Sequence, residues 1–132
     1  MKKFCFLIFL FFSTHSVIAA VGAPCGDYGE CDTFKPQLTN IESLQSGALT
    51  FINHCYGCHS LKYSRWGRIS KDLDIPEKIL TENLVFGSDV KLGDRMTGSM
   101  QPAVSEGWFG IAPPDLTLVT RLHGSDWVYT YL

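Results

Sequence analysis

Cys55-Tyr56-Gly57-Cys58-His59 is the stretch of sequence that decides the fold of this 132-residue chain. Two thiols three positions apart, with an imidazole directly after the second, form the C-x-x-C-H pattern of covalent haem attachment. Both sulfurs can reach one edge of a porphyrin, and the adjacent His59 can turn under the ring to ligate iron. The motif therefore predicts one covalent haem c, with Cys55 and Cys58 as attachment sites and His59 as the metal ligand.

The same motif has two alternative interpretations, a redox-active cysteine pair and part of a zinc site. No second cysteine pair follows Cys58 to complete a tetrahedral set of zinc ligands. No alternation of strands and helices surrounds the motif, as a thioredoxin-like redox site would require. Both observations favour haem attachment.

The amino-terminal residues have the layout of a secretory signal peptide. Lys2 and Lys3 precede an apolar run over residues 4–12, and the small residues Ala19 and Ala20 follow. An uncleaved amino-terminal anchor is the alternative, but the apolar run is short for a membrane span. We therefore expect residues 1–20 to be a signal peptide and the protein to be exported.

The charge of the exported chain argues against a nucleic-acid partner. Loss of residues 1–20 leaves nine basic and thirteen acidic side chains, a net charge of about −4 with histidine neutral. Nucleic-acid-binding domains are basic instead. An acidic surface would attract a basic soluble partner, less strongly at high salt, although ordinary solubility explains the same charge.

A second cysteine pair lies before the haem motif. Cys25 and Cys31 are six positions apart in a glycine-rich stretch, and in an oxidising compartment such a pair predicts a small disulfide. The alternative is two free thiols on a mobile terminus. Residues 21–38 show no apolar periodicity and are expected to form an irregular leader, in which so short a disulfide loop adds little stability.

Apolar residues recur at helical spacing before the haem motif. Thr39 and Glu42 form a capping-box pattern that predicts the start of a helix, and its apolar face runs to Cys55. Gly47 and Phe51 lie on the same face, where a second helix could cross closely. Alternatively, Gly47 merely weakens a generic amphipathic helix by about 1 kcal/mol.

The sequence after the motif predicts shorter elements. Pro76 is typical of a first helical turn, and its helix is expected to end at Gly87. Residues 88–112, rich in Gly, Ser and Pro, predict a long loop that covers one haem face. Asp115 is expected to cap a third helix, and Ser125 to begin a fourth. Three large side chains before Pro76 are candidate haem-facing groups: Leu61, Tyr63 and Trp66.

Several further segments carry a family resemblance that runs from about Leu38 to Leu132. Together with the segment from Cys55 to Ser60, they closely resemble bacterial cytochrome c1, the haem subunit of the quinol–cytochrome c reductase or bc1 complex. The segments are Ser43-Leu44-Gln45, Gly93-Asp94, Trp108-Phe109-Gly110, Ala112-Pro113-Pro114-Asp115-Leu116 and Asp126-Trp127-Val128-Tyr129-Thr130-Tyr131-Leu132.

The resemblance implies a fold and further site residues. It implies a mainly α, class I cytochrome c-like haem domain with long irregular loops over residues 39–132. It places Pro113 and Pro114 against the porphyrin and Arg121 near a propionate, which a guanidinium matches well. Family members often carry a second arginine where this chain has His123, which could substitute as a weaker donor.

The resemblance also implies a role in electron transfer. The haem would take electrons from the Rieske iron–sulfur protein and pass them to a soluble cytochrome c, in a complex with cytochrome b at the periplasmic face of the bacterial inner membrane. No residue is predicted to act as nucleophile, general acid or general base, because the chemistry belongs to the iron. The chain is thus expected to be a subunit of an oxidoreductase complex and not catalytic alone.

Two features of the family are missing before Leu132, a distal methionine ligand and a carboxyl-terminal membrane anchor. We therefore expect an incomplete haem domain, held at the membrane by the complex or by the missing anchor, with iron that is predominantly not bound by methionine. In the alternative, Met96 or Met100 supplies the sixth ligand of a stand-alone soluble exported cytochrome. A third hypothesis is a five-coordinate haem protein that binds gases or acts on peroxides.

Overall fold

The computed structural model describes residues 25–132, so the predicted signal peptide over residues 1–20 lies outside the described residues. Most of the regular structure in this range is helical, and the mainly α prediction is confirmed. After a short 3-10 turn at Gly26–Tyr28, the elements are α1 (Ile41–His54), β1 (Leu61–Arg65), α2 (Trp66–Asp72), α3 (Glu77–Asn83), β2 (Arg95–Met96), α4 (Pro102–Phe109), α5 (Val119–His123) and α6 (Ser125–Tyr131).

Helix α1 begins one residue later than the capping-box pattern predicted. Asn40 is the N-cap, and its side chain accepts a hydrogen bond from the backbone N–H of Ser43. Asn is among the best N-cap residues, so it replaces Thr39 in this role. The helix ends at His54, and Cys55 is its C-cap. The haem motif therefore begins where the first helix ends.

The predicted close helix crossing at Gly47 is wrong for the described residues. A methyl group built on Gly47 would meet nothing within 4 Å, and Gly47 itself is exposed. Further along the same face of α1, Phe51 packs against the hydrophobic core. The glycine therefore interrupts an amphipathic helix without making room for a neighbour.

A small hydrophobic core lies beside the haem motif. Trp66 is 1% exposed at its centre, and the ring of Tyr56 within the motif meets it edge-on at 5.3 Å. The prediction of Trp66 and Tyr63 as haem-facing groups is corrected, since Trp66 is a core residue and Tyr63 is 74% exposed on the strand surface. The buried residues of this core are Ile52, Trp66, Ile75, Leu80, Leu84 and Met96.

The predicted long loop over residues 88–112 contains two regular elements. Strand β2 pairs antiparallel with β1, which places Met96 opposite Leu61. Two residues carry too little pattern to predict a strand, and tertiary pairing stabilises it. Helix α4 had clear signals that the loop prediction missed: it starts at Pro102, and Gly110, with a left-handed φ of 77°, is the C-cap after its last residue, Phe109.

The two remaining helix boundaries are also corrected. Pro76 is the N-cap of α3, which ends at Asn83, and the C-cap residue Leu84 is buried in the core. Asp115 does not cap a helix, since α5 begins only at Val119. The last prediction is confirmed, because α6 does begin at Ser125.

The amino-terminal leader packs on the last helix of the chain. Cys25 and Cys31 form a disulfide with Cα atoms 5.3 Å apart, and Cys25 is buried. The ring of Phe34 stacks on Tyr129 of α6 at 5.0 Å, and Thr130 Oγ1 accepts the backbone N–H of Asp32. The leader is irregular, as predicted, but it is not loose.

Between residues 25 and 132, the structure contains no helix with both the length and the apolar character that a membrane span requires.

Candidate haem-attachment site

The five residues of the motif form a tight turn at the end of α1. The backbone N–H groups of Cys58 and His59 both donate to the carbonyl of Cys55, at 3.1 and 2.8 Å. This turn brings both cysteines next to the end of the helix. Neither is in a disulfide, and Cys55 is half-buried whereas Cys58 is exposed. Both thiols are therefore available for bond formation.

The imidazole of His59 is fixed by one hydrogen bond. Its Nδ1 lies 2.8 Å from the carbonyl oxygen of Pro114. A carbonyl can only accept, so we assign the proton to Nδ1, which leaves the Nε2 lone pair as the free ligand atom. This is the usual arrangement of a metal-binding histidine, whose second nitrogen donates to a fixed acceptor.

Residues 97–100 close one side of the motif. Tyr56 donates its hydroxyl to the carbonyl of Thr97 at 2.8 Å, and burial raises the pKa of this phenol, which favours the donor form. The backbone N–H of Gly98 donates to Ser60 Oγ at 2.8 Å. A Cβ on Gly98 would lie 2.7 Å from the carbonyl oxygen of Tyr56, so only glycine fits this approach.

The segment around the two prolines closes the other side. The backbone N–H of Leu116 donates to the carbonyl of Ser60 at 2.9 Å, and the backbone N–H of Lys62 donates to Asp115 Oδ2 at 2.8 Å. Both bonds attach this irregular segment to the residues that directly follow His59. The motif is thus held between two parts of the chain that lie about 40 and 55 residues further along.

A cleft of about 120 Å³ opens between these segments. It brings together Cys58, Met100 and Pro113 from three distant parts of the sequence. Pro113 is half-buried in its wall, whereas Pro114 meets His59 through its carbonyl. The full set of lining residues is Cys58, Ser60, Lys62, Thr97, Gly98, Met100, Pro102, Ser105, Ala112 and Pro113.

The structure does not bring every predicted site residue to this cleft. Arg121 is exposed on α5 and is not among the residues that line the cleft. His123, considered as a substitute donor, stacks on Trp127 with ring centroids 4.3 Å apart. His123 and Trp127 form part of the contact between α5 and α6.

The two methionines considered as sixth ligands have different surroundings. Met96 is 1% exposed in the hydrophobic core, where β2 pairs with β1. This burial excludes Met96 from ligand binding in the described arrangement, so that candidate is wrong. Met100 is half-buried and lines the cleft beside Cys58.

Sequence reasoning missed three residues that build the site: Ser60, Gly98 and the side chain of Asp115. Ser60 directly follows the motif, and its Oγ and carbonyl each accept one bond from a closing segment. Gly98 gave no signal beyond its position in a glycine-rich stretch. Asp115 was recognised as a capping residue but assigned to the wrong partner.

The donor set fits a c-type haem. Two free thiols three positions apart precede a histidine whose Nε2 is free, and its Nδ1 proton already has an acceptor. Apolar side chains are also exposed on α4 and after it, where Trp108, Phe109 and Ile111 are all more than half exposed. The residues that are present can therefore hold the group that the motif predicts.

Comparison with known proteins gives two similarities. Over all 132 residues the chain is 46% identical to cytochrome c1 of Allochromatium vinosum and covers 52% of that protein. Over 91 residues, 69% of the chain, it is 41% identical to a protein of Nitrosomonas europaea named ammonia monooxygenase gamma subunit, of which it covers 38%. No protein-family model matches the chain. It thus spans about half the length of these relatives, or less.

The motif and this similarity show that the chain resembles c-type cytochromes. More particularly, the resemblance to cytochrome c1 that the sequence predicted is confirmed, since the similarity extends along the whole chain.

Proposed function

We propose that this chain binds one haem c covalently and transfers electrons as the haem-bearing part of a cytochrome c1. Cys55 and Cys58 would form the two thioether bonds, and Nε2 of His59 would ligate the iron. When bound, the haem supplies a one-electron couple between ferric and ferrous iron. The protein contributes the ligands, the surrounding apolar surface and the docking surface.

One observation carries this proposal, the hydrogen bond of 2.8 Å between His59 Nδ1 and the Pro114 carbonyl. A redox-active cysteine pair does not require an adjacent histidine fixed in this tautomer. An iron-binding histidine does require it, because the bond orients the ring and keeps Nε2 unprotonated. The acceptor comes from 55 residues along the chain, so a chance local contact does not explain it.

The proposed architecture is a class I cytochrome c-like haem domain over residues 39–132, preceded by a leader over residues 21–38 and a signal peptide over residues 1–20. Helix α1, which ends at His54 directly before the motif, supports this assignment. Pro113, half-buried in the cleft beside Cys58, would pack against the porphyrin. Arg121 is retained as a propionate partner from the resemblance alone.

The proposed partners are those of cytochrome c1. The chain would receive electrons from the Rieske iron–sulfur protein and deliver them to a soluble cytochrome c, in a bc1 complex with cytochrome b. It would act at the periplasmic face of the bacterial inner membrane. Its similarity to cytochrome c1 of Allochromatium vinosum supports this assignment.

Haem attachment can be tested by expressing the full chain in a bacterium that exports proteins and attaches haem c. We expect covalent haem, seen in the spectrum of the denatured protein in alkaline pyridine and as added mass. Replacing Cys55 and Cys58 with Ser should abolish it. Replacing Cys25 and Cys31 with Ser is the matched control and should leave the haem content unchanged. A wild-type chain without covalent haem would refute the proposal.

Assembly is tested separately by affinity purification of the tagged chain from its native membranes. Recovery of cytochrome b and the Rieske protein with the tagged chain is the expected result. A haem-loaded chain found only in the soluble periplasmic fraction would refute the assignment to a bc1 complex. It would not contradict the proposal that the chain binds haem.

Met100 supports a second candidate, a stand-alone soluble exported cytochrome that supplies its own sixth ligand. The observation that favours it is the position of Met100 in the cleft wall beside Cys58. An absorption band of ferric iron bound to methionine sulfur, lost in Met100→Leu, would establish this candidate. We expect Met100→Leu to leave the spectrum unchanged, because the family resemblance assigns the distal methionine to a position other than Met100.

A further inference from the structure

The acceptor that fixes His59 belongs to a segment with no regular structure. Residues 112–118 form neither helix nor strand, yet the Pro114 carbonyl is held 2.8 Å from His59 Nδ1. Neither Pro113 nor Pro114 has a backbone N–H, so these two residues cannot donate the bonds that usually fix a loop. The segment is attached instead by hydrogen bonds of the residues that follow the prolines.

The Leu116 N–H donates to the Ser60 carbonyl, and Asp115 supplies a second attachment. Its Oδ2 accepts the backbone N–H of Lys62 in β1 at 2.8 Å, and its Oδ1 accepts the backbone N–H of Thr117 at 3.1 Å. Lys62 lies three residues after His59, and β1 is fixed in turn by its pairing with β2. The carboxylate therefore connects the residue next to the Pro114 carbonyl with the strand next to His59.

We propose, on the basis of the proposed haem function, that Asp115 is a positioning residue that holds the Pro114 carbonyl against Nδ1 and thereby sets the strength of His59 as an iron ligand. The hydrogen bond from Nδ1 to a fixed acceptor raises the basicity of the imidazole. A more basic ligand favours ferric over ferrous iron. Asp115 would thus influence the potential without touching the haem or the histidine.

The state of the carboxyl group fits this role. Partial burial tends to raise the pKa of Asp115, but hydrogen bonds from Thr117 and Lys62 outweigh it and hold the pKa below its usual range. The group is therefore ionised near neutral pH, and hydrogen bonds to an ionised acceptor are roughly twice as strong as neutral ones.

The test uses the haem-loaded full chain and three substitutions of one residue. Asp115→Ala removes both acceptors, and Asp115→Asn keeps an oxygen for Thr117 but places an amide N–H₂ opposite the Lys62 N–H. Asp115→Glu keeps the charge but moves the carboxylate by one methylene. Asp126→Asn is the matched control, because Asp126 also accepts a backbone N–H, but from Phe34 in the leader and not from strand β1.

We expect the midpoint potential to rise in all three Asp115 variants, most in Asp115→Ala. The ferric-to-ferrous ratio at a fixed potential should fall roughly threefold or more, where tenfold corresponds to about 59 mV. Acid release of His59 from the iron should also occur at higher pH. The Asp126 control should retain the wild-type potential. A wild-type potential in Asp115→Glu, with a shift only in the two uncharged variants, would indicate a pure charge effect and overturn the proposal.

A second measurement separates this proposal from haem binding itself. In the full chain without haem, ¹⁵N shifts of the His59 ring report the fraction of the Nδ1–H tautomer. Asp115→Glu should lower this fraction, and the Asp126 control should not. An unchanged fraction overturns the positioning role even if haem is bound, whereas a lowered fraction in a chain that never acquires haem supports positioning and refutes the proposed function.

Discussion

His59 shows how one residue can carry two roles through its two nitrogens. Nδ1 is committed to the Pro114 carbonyl, so the tautomer, the ring plane and the direction of Nε2 are set together. The carbonyl belongs to a proline, whose fixed φ limits how far this acceptor can move. The geometry at the ligand atom is therefore a property of residue 114 as much as of residue 59.

Asp115 gives a prediction about pH at the scale of single residues. Its folded pKa lies below the unfolded value of 3.8, so its stabilising contribution is complete above that value and is lost as the pH falls through the folded pKa. The free energy of unfolding in urea should be higher for the wild type than for Asp115→Asn at pH 7. This difference should shrink steadily below about pH 4. A difference that stays constant down to pH 2 would contradict the assignment.

At the scale of elements, residues 97–100 act as a brace across the haem motif. They contact it through the Tyr56 hydroxyl, the Ser60 side chain and the carbonyl of Gly57, which accepts the backbone N–H of Met100 at 3.2 Å. The segment follows β2 directly, so the short sheet places the brace. The two-residue strand β2 thereby positions the segment that contacts the haem motif.

Gly98→Ala should therefore weaken the brace. The new Cβ would meet the Tyr56 carbonyl at 2.7 Å, and the backbone must shift, which typically costs about 1 to 3 kcal/mol of unfolding free energy. Gly93→Ala is the matched control, since a Cβ there meets nothing within 4 Å and its φ is not positive. Urea denaturation of both variants measures the effect. If Gly98→Ala and Gly93→Ala had the same free energy of unfolding, residues 97–100 would be able to shift without loss of stability, and the prediction would be wrong.

Sequence reasoning recovered the elements that carry strong local signals. Helix α1 has a cap and a long apolar periodicity, and the motif of Cys55 to His59 is self-contained. The brace and β2 could not be predicted, because their stability comes from pairing with residues about 30 to 40 positions away. The role of Asp115 was also missed because its partner is distant in sequence. Its capping chemistry was recognised, but its partner Lys62 lies 53 residues earlier.

At the scale of the whole molecule, the leader joins the start of the described chain to its last helix. The disulfide holds residues 25–31 as a compact turn, and the ring of Tyr28 within it meets Tyr131 of α6 edge-on at 6.0 Å. Phe34 adds a second contact, because Asp126 Oδ1 accepts its backbone N–H at 2.9 Å. The leader therefore contributes to the packing of α6.

Replacing Cys25 and Cys31 with Ser should lower the free energy of unfolding by about 2 kcal/mol, the low end for a short disulfide loop. Exchange of the Asp32 and Phe34 amide protons should accelerate, because their acceptors lie on α6. A reductant should lower the free energy of unfolding of the wild type to that of the variant, and it should leave the value for the variant unchanged. Unaltered amide exchange in the variant would show that the leader packs on α6 without the disulfide.

The separation in sequence between the motif and the Pro114 carbonyl imposes an order on biogenesis. Both thiols and the imidazole lie within five residues, so an enzyme that attaches haem can recognise them in a chain that has not yet folded. The carbonyl that orients the imidazole lies 55 positions further along and reaches it only when the chain between them has folded. Covalent loading can therefore precede folding, whereas a correctly oriented ligand can appear only after it. A variant that folds poorly could still be fully loaded with haem, and its red colour would then be no evidence of a native structure.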